Sequence, residues 1–338
     1  MQYRYLADTG TMISSLVFGT MSFGGDADEA ESKRMFHRCR DAGINCFDCA
    51  DVYQDGTSEE ILGRLVRDCR SEIILTSKCY FPTGDDVNAR GASRRHILEA
   101  VEASLRRLGT DFIDLYFIHR FDGKTALDET LRALDDLVRT GKIIYLGVSN
   151  FAAWQVEKAL GISALHGLEK VKCIQPMYNL VKRQAEVELL PMALANGLAV
   201  MSYSPLGGGL LTGKYGRPRK LADLLSEKRR EGRLVSNTMY AERYKGEQVY
   251  DIAARFAEFA RQHGFDPVAL AVAWVGSHPA VTAPIIGARS VEQIEGSLGA
   301  LEIDMAPDLR EEIARLSPEP PPATDRSEEG TEAGLWAR

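Results

Sequence analysis

The feature that most constrains this chain is an alternation. Short apolar runs of strand character are followed by segments with apolar residues at helical spacing, and the unit recurs eight times. The first run is Leu16 to Thr20, followed by a helix over about 29–41. Strands expected at Ile44 to Phe47, Glu72 to Thr76, Phe112 to Ile118 and Ile143 to Val148 lead into helices near 58–67, 93–108, 127–139 and 152–160. Cys173 to Gln175, Leu198 to Tyr203 and Val281 to Ile286 complete the strands, with helices near 183–196, 247–263, 267–277 and 291–299. In the helix at 93–108, Ile97, Val101, Leu105 and Leu108 form the stripe that faces a core. Parallel strands need crossover helices, so eight such units in series predict a closed (β/α)8 TIM barrel, here a single domain over residues 1–317.

Three segments stand outside the rhythm. Residues 2–15 read as an N-terminal hairpin turning at Asp8-Thr9-Gly10. An Arg- and Lys-rich excursion over 207–246 makes a long loop after strand seven. From Pro318 the chain is Pro-rich and acidic, expected as a mobile or docked tail over 318–338 with Leu335 and Trp336 as its anchor. A doubly wound open sheet is the competing architecture, and it would place a Gly-rich turn after the first strand. Gly19-Thr20-Met21-Ser22-Phe23 does not match G-x-G-x-x-G, and the run Gly207 to Thr212 has Thr212 where the third glycine belongs.

Charge and composition exclude several classes. A net charge of -7 with scattered Lys and Arg gives no field for nucleic acid. No run approaches the ~18 apolar residues of a membrane span, and Met1 to Asp8 lacks a basic segment followed by an apolar one. A cytoplasmic protein without membrane partners is the expectation, and a reducing compartment suits the six cysteines. Cys46 and Cys49 form a C-x-x-C, but it lies in an apolar strand rather than at a helix start, and no second pair or His pair completes a zinc site. No metal is expected.

In a barrel the polar residues that end the strands converge. Asp48 ends the second strand, with Tyr53 five residues on; Lys78 ends the third and His119 the fourth. Singly, these are a loop cap, a rim residue, a solvated cation and a core imidazole. Together they make a proton donor. A Lys78 ammonium beside the phenol of Tyr53 is expected to lower its pKa from the usual ~10. Asp48 keeps the buried Lys78 charged, and His119 hydrogen-bonds a substrate oxygen or feeds a proton to the phenol. Asp51 reads as a loop residue. Asp48 and Asp51 could be cast as a hydrolytic carboxylate pair, but Lys78 would neutralise one of them and nothing would then explain Tyr203.

The runs GINCFDCADVY at 43–53, ILTSK at 74–78, LYFIH at 115–119, GVSNF at 147–151, QPMYN at 175–179, YSPLGGGLLTGKY at 203–215 and IIGARSVEQIEGS at 285–297 cover the seven later strands, with Gly19-Thr20-Met21 at the first. In these runs the chain resembles the aldo-keto reductases, barrel oxidoreductases that prefer NADP(H). The resemblance implies a catalytic tetrad of Asp48, Tyr53, Lys78 and His119. It implies hydride transfer between nicotinamide and an aldehyde, ketone or sugar carbonyl or alcohol, with Tyr53 as general acid or base. It further implies Tyr203 stacked on the nicotinamide and Ser149, Asn150 and Gln175 on its carboxamide. Ser204, Pro205, Leu206, Gly209 and Lys214 would wrap the pyrophosphate. Arg289 and Gln293 would meet the 2′-phosphate end, and Gly19, Thr20, Met21, Asp48 and Gly287 complete the set. Gly296 and Ser297 stand where the family usually has a Glu-Asn pair at the adenine, and Cys49 where it usually has Thr. Met21, Phe23, Tyr80, Phe81 and Phe121, with Trp154, are expected to wall the substrate, with Arg120 and Asp122 nearby to recruit a sugar or an acid. Channel β-subunits share this fold and cofactor, so a regulatory subunit is the alternative. A homo-oligomer fits either reading.

Overall fold

A computed structural model describes residues 1–216, 232, 234 and 237–324. Residues 217–231, 233, 235 and 236 of the basic excursion, and Leu335 and Trp336, lie outside the described residues. The chain opens with an antiparallel hairpin, β1 (Tyr3–Tyr5) and β2 (Met12–Ser14), in register Tyr3 with Ser14. Eight parallel strands follow: β3 (Val17–Gly19), β4 (Cys46–Asp48), β5 (Ile74–Cys79), β6 (Ile113–Ile118), β7 (Ile143–Ser149), β8 (Val171–Gln175), β9 (Ala199–Tyr203) and β10 (Ala283–Ile286). They close in sequence order, β10 pairing with both β3 and β9, which is the expected barrel.

Residues 1–176, 193–203 and 280–295 form one compact unit, which holds the hairpin and every barrel strand. Its interior is a core made by Val17, Cys46, Leu115, Phe117, Cys173, Ala199, Met201, Ala283 and Ile285, with Leu6 and Ile13 of the hairpin packed against it. Strand side chains alternate, so the next inward residue along each strand lies one layer further up. Two residues beyond Val17, Cys46, Cys173 and Met201 stand Gly19, Asp48, Gln175 and Tyr203. The polar site is therefore the next step of the period that builds the core.

Around the strands of this unit run α1 (Glu29–Asp41), α2 (Thr57–Val66), α3 (Arg94–Leu108), α4 (Leu127–Arg139) and α5 (Ala153–His166). Asp28 caps α1 through the Glu31 amide and Ser93 caps α3 through the His96 amide, while left-handed Gly109 ends α3. Helices α2 and α3 approach so closely at Gly63 that a Cβ there would stand 2.4 Å from the Leu108 carbonyl oxygen. Gly63→Ala is expected to lose about 1–3 kcal/mol from this overpacking, read as a lower denaturation midpoint; an unchanged midpoint would mean that the helices part at little cost.

The second unit comprises residues 177–192, 204–279 and 296 onward. It contains α7 (Thr238–Arg243), α8 (Glu247–Gln262), α9 (Pro267–Gly276) and α11 (Pro307–Ala314); α6 (Leu189–Ala195) and α10 (Val291–Leu298) each run from one unit into the other. Arg310 organises its centre. The guanidinium lies 4.7 Å from the Trp274 ring and donates to the Tyr178 hydroxyl at 2.9 Å, while Tyr178 donates to Glu186 at 2.6 Å.

Several boundaries differ from the expectation. β5 lies at 74–79 rather than 72–76, because a tight turn over 67–72 is held by Arg70, which donates to the carbonyls of Ile73 and Phe112 and to Asp114. Lys78 is thus inside the strand. α5 continues to His166, since Gly161 has nothing within 4 Å of a Cβ and is simply an exposed helical glycine. α6 starts at Leu189 rather than 183: Pro191 has no N–H and is tolerated in a first turn but not in a helix interior. Helices α7 and α11 carry no clear apolar period in the sequence.

Candidate active site

Lys78 is fully buried, and its ammonium is divided among three oxygens. It donates to Asp48 Oδ2 at 2.7 Å, to the Cys49 carbonyl at 2.6 Å and, more weakly, to the Tyr53 hydroxyl at 3.5 Å. The other Asp48 oxygen accepts from Thr76 at 2.8 Å and from Gln175 Nε2 at 2.9 Å, so the carboxylate is held from two strands, β5 and β8. His119 completes the group, its ring 6.0 Å from that of Tyr53 in an edge-on arrangement. The four residues expected from the sequence are together.

Burial by itself would lower the Lys78 pKa, but the Asp48 carboxylate, with Tyr53 and Cys49, more than offsets this and raises it. The lysine is charged. His119 moves the other way: burial, helped by the Lys78 charge, drives its pKa well down, so the ring is neutral at neutral pH, and its Nδ1 is enclosed without a hydrogen-bond partner. For Tyr53 the outcome corrects the expectation. Burial pushes the phenol up to about 12, with Lys78 opposing and Asp48 reinforcing the rise. The lysine restrains the pKa of this tyrosine; it does not make the resting phenol unusually acidic.

A second network lies at the ends of β7, β8 and β9. Asn150 sits in the left-handed region at φ 56°, an uncommon conformation for a side-chain-bearing residue. Its Nδ2 donates to the His119 carbonyl at 2.9 Å and to Ser149 Oγ at 3.0 Å, while its Oδ1 accepts from the Tyr203 hydroxyl at 2.7 Å. Ser149 in turn donates to the backbone carbonyl and Oε1 of Gln175 at 3.1 and 3.2 Å. One acceptor lone pair of Asn150 and one N–H of Gln175 are left over. An acceptor and a donor are what a primary carboxamide requires.

At the first strand, Thr20 donates twice to the Asp48 carbonyl, from its amide at 2.9 Å and its hydroxyl at 3.1 Å, fixing the turn that carries Met21. Gly19 has room for no Cβ without pressing on Ile285 at 3.0 Å. After β10, Gly287 is exposed, and the Arg289 amide donates to Gln293 Oε1 at 3.1 Å while its guanidinium lies 3.4 Å from Asp26. Within the second unit, Ser204 (φ 59°) and Gly209 (φ 92°) are also left-handed, Pro205 is buried and Leu206 half-buried. The Lys214 stem lies 3.2 Å from where a Gly209 Cβ would be, so any larger residue there would displace the ammonium.

The aromatic wall is present in part. Tyr80 meets Phe81 at 5.3 Å, Phe81 meets the His119 ring at 4.9 Å, and Phe121 lies between Phe151 and Trp154. Phe23 is a correction: it is fully buried against Phe18 and belongs to the core. Asp51 lies in a turn, as expected, but is 2% exposed. Ser297 is also buried, so its hydroxyl is not presented at the surface. Thr76 and the Cys49 carbonyl were missed as tetrad partners. Thr76 was findable once Lys78 is placed in the strand, since the alternation Ile74, Thr76, Lys78 points all three inward. The Cys46 and Cys49 thiols are both free and pushed up by burial, Cys49 to about 12, the opposite of an activated redox pair.

The sequence pattern of the Aldo/keto reductase family matches residues 15–317. An uncharacterised oxidoreductase of Bacillus subtilis is 35% identical over 95% of this chain and 97% of its own. A probable voltage-gated potassium channel subunit beta of Arabidopsis thaliana is 34% identical over 90% of this chain and 92% of its own. The versiconal hemiacetal acetate reductase of Aspergillus parasiticus is 33% identical over 91% and 94%. The chain belongs to the aldo/keto reductase family and is an oxidoreductase in general class.

Proposed function

We propose that this chain is an NADP(H)-dependent carbonyl reductase or alcohol dehydrogenase in which Tyr53 is the general acid or base. The observation that carries the reading is the buried Lys78 held between Asp48 and the Tyr53 hydroxyl. NADPH, when bound, supplies the hydride. The leftover acceptor of Asn150 and donor of Gln175 suit its carboxamide, with the half-buried Tyr203 ring beside them. Gly19, Thr20, Met21, Ser204, Pro205, Leu206, Gly209, Lys214, Gly287, Arg289 and Gln293 are the further cofactor contacts we assign.

Tyr53 gives its proton to the substrate oxygen as negative charge develops there, and an alkoxide is far more basic than a phenolate, so a phenol near 12 still transfers. Lys78 stabilises the phenolate that remains, and Asp48 holds Lys78 on station. Neutral His119 offers a hydrogen bond to the same oxygen. Rings at Phe81, Phe121 and Trp154, the last 60% exposed, favour aromatic or medium aliphatic carbonyls, and the similarity to a fungal hemiacetal acetate reductase supports reduction as the reaction. Among the described residues no helix is long and apolar enough to cross a membrane. Five of the six free cysteines are buried, which supports a reducing, cytoplasmic setting.

Arg289→Ala should weaken NADPH binding about tenfold or more through loss of a charge-assisted contact to the 2′-phosphate and leave NADH nearly unaffected. Fluorescence titration with both nucleotides reads this; equal losses would remove Arg289 from that role. The similarity to potassium channel β-subunits favours a second reading, a cofactor-binding regulatory subunit with little turnover. Brisk turnover without association with membrane proteins decides for the enzyme.

A further inference from the structure

Three carboxyl groups and two cations lie behind the catalytic tyrosine. Lys78 is bonded to Asp48. Arg107, from α3, is bonded through Nε and Nη2 to Glu59 of α2 at 2.7 and 2.6 Å, and Glu59 also accepts from Ser77 at 2.5 Å. The third carboxyl, Asp51, is 2% exposed, and neither oxygen makes a hydrogen bond of normal geometry. Its own amide donates to the Lys78 carbonyl at 3.1 Å, which fixes it against β5. The groups acting on it are Glu59 from α2, Arg107 from α3, Lys78 and Cys79 from β5, Tyr116 from β6 and the neighbouring Val52 amide. Both cations are engaged elsewhere, and Glu59 repels a second anion. A carboxylate buried in this way, with neither counterion nor a full set of donors, takes up a proton.

We propose that Asp51 is carried as a neutral carboxylic acid behind the tetrad at neutral pH and is a positioning residue for the reaction: its ionisation in the alkaline range opposes Lys78 and weakens proton donation by Tyr53. This rests on the reading of the site as a carbonyl reductase. Burial, followed by repulsion from Glu59, pushes the Asp51 pKa up to about 8, with Arg107, the Val52 amide and Lys78 pulling against the rise. The Lys78 charge acts on both Asp51 and Tyr53, so a negative charge appearing at Asp51 offsets part of the field that stabilises the Tyr53 phenolate.

The test is the pH profile of kcat for carbonyl reduction by the wild-type enzyme and Asp51→Asn, whose amide matches the neutral acid in shape. The wild type is expected to lose about three- to tenfold across an inflection near pH 8, and the inflection should be absent in the variant. An inflection at the same pH in the variant overturns the proposal. A second reading needs neither turnover nor the variant. With carboxyl-labelled aspartate, the wild-type infrared spectrum should contain a protonated-carboxyl band at neutral pH that disappears with a midpoint near 8; its absence at neutral pH overturns the proposal equally. Failure of the carbonyl reductase reading would appear as no turnover at any pH and leaves the infrared result to decide on Asp51.

Discussion

Tyr53→Phe is expected to bind NADPH within about twofold of the wild type and to lose about 10²- to 10⁴-fold or more in kcat, equivalent to about 3 to 5 kcal/mol of barrier. The asymmetry comes from the geometry. Lys78 is held by short bonds to Asp48 and the Cys49 carbonyl, and its contact with the Tyr53 hydroxyl is the longest of the three at 3.5 Å. Removing the hydroxyl therefore costs the lysine little and leaves Asn150, Gln175 and Tyr203 where they are. What disappears is the proton. Single-turnover kinetics with a fluorescence titration of NADPH separate the two effects, and full activity in the variant would remove Tyr53 from the mechanism.

Lys78→Met has the largest expected effect on the fold and is also expected to abolish turnover. It leaves the Asp48 carboxylate fully enclosed with only Thr76 and Gln175 as side-chain donors, and an uncompensated buried charge of this kind costs about 3–5 kcal/mol. The pH dependence follows from the direction of the shift. The folded Lys78 pKa is raised above its unfolded value, so its contribution is fully present below ~10.4 and is lost as pH rises through the higher folded value. In the variant that alkaline loss is absent. Thermal melts from neutral to alkaline pH check the sign; a variant as stable as the wild type throughout would mean that the ion pair contributes nothing.

The barrel was legible because its signal is repeated. Eight strands flanked by helical stripes survive errors of a few residues at each boundary, and β5 was misplaced by about two residues without harm to the topology. The tetrad was legible because period-two alternation carries the apolar layer of Cys46, Phe117 and Cys173 directly into the polar one. Charge state was not legible. Whether Lys78 makes Tyr53 acidic or merely restrains the rise caused by burial depends on how completely the hydroxyl is enclosed, and nothing in the motif encodes that. The same holds for Asp51: one acid in a loop looks like any other until Glu59 and Arg107, from helices α2 and α3, are seen to have satisfied each other and excluded it. Phe23 failed for a related reason, since a residue just past a strand end can turn into the core as readily as toward a substrate.

The most direct test of the account is the absorbance of the nicotinamide during incubation of the wild-type protein with NADPH and a panel of aromatic, aliphatic and sugar carbonyls. Substrate-dependent oxidation of NADPH, faster than that of NADH and lost in Tyr53→Phe, is the predicted result. No oxidation with any member of the panel, by a protein that nevertheless binds NADPH, would contradict it.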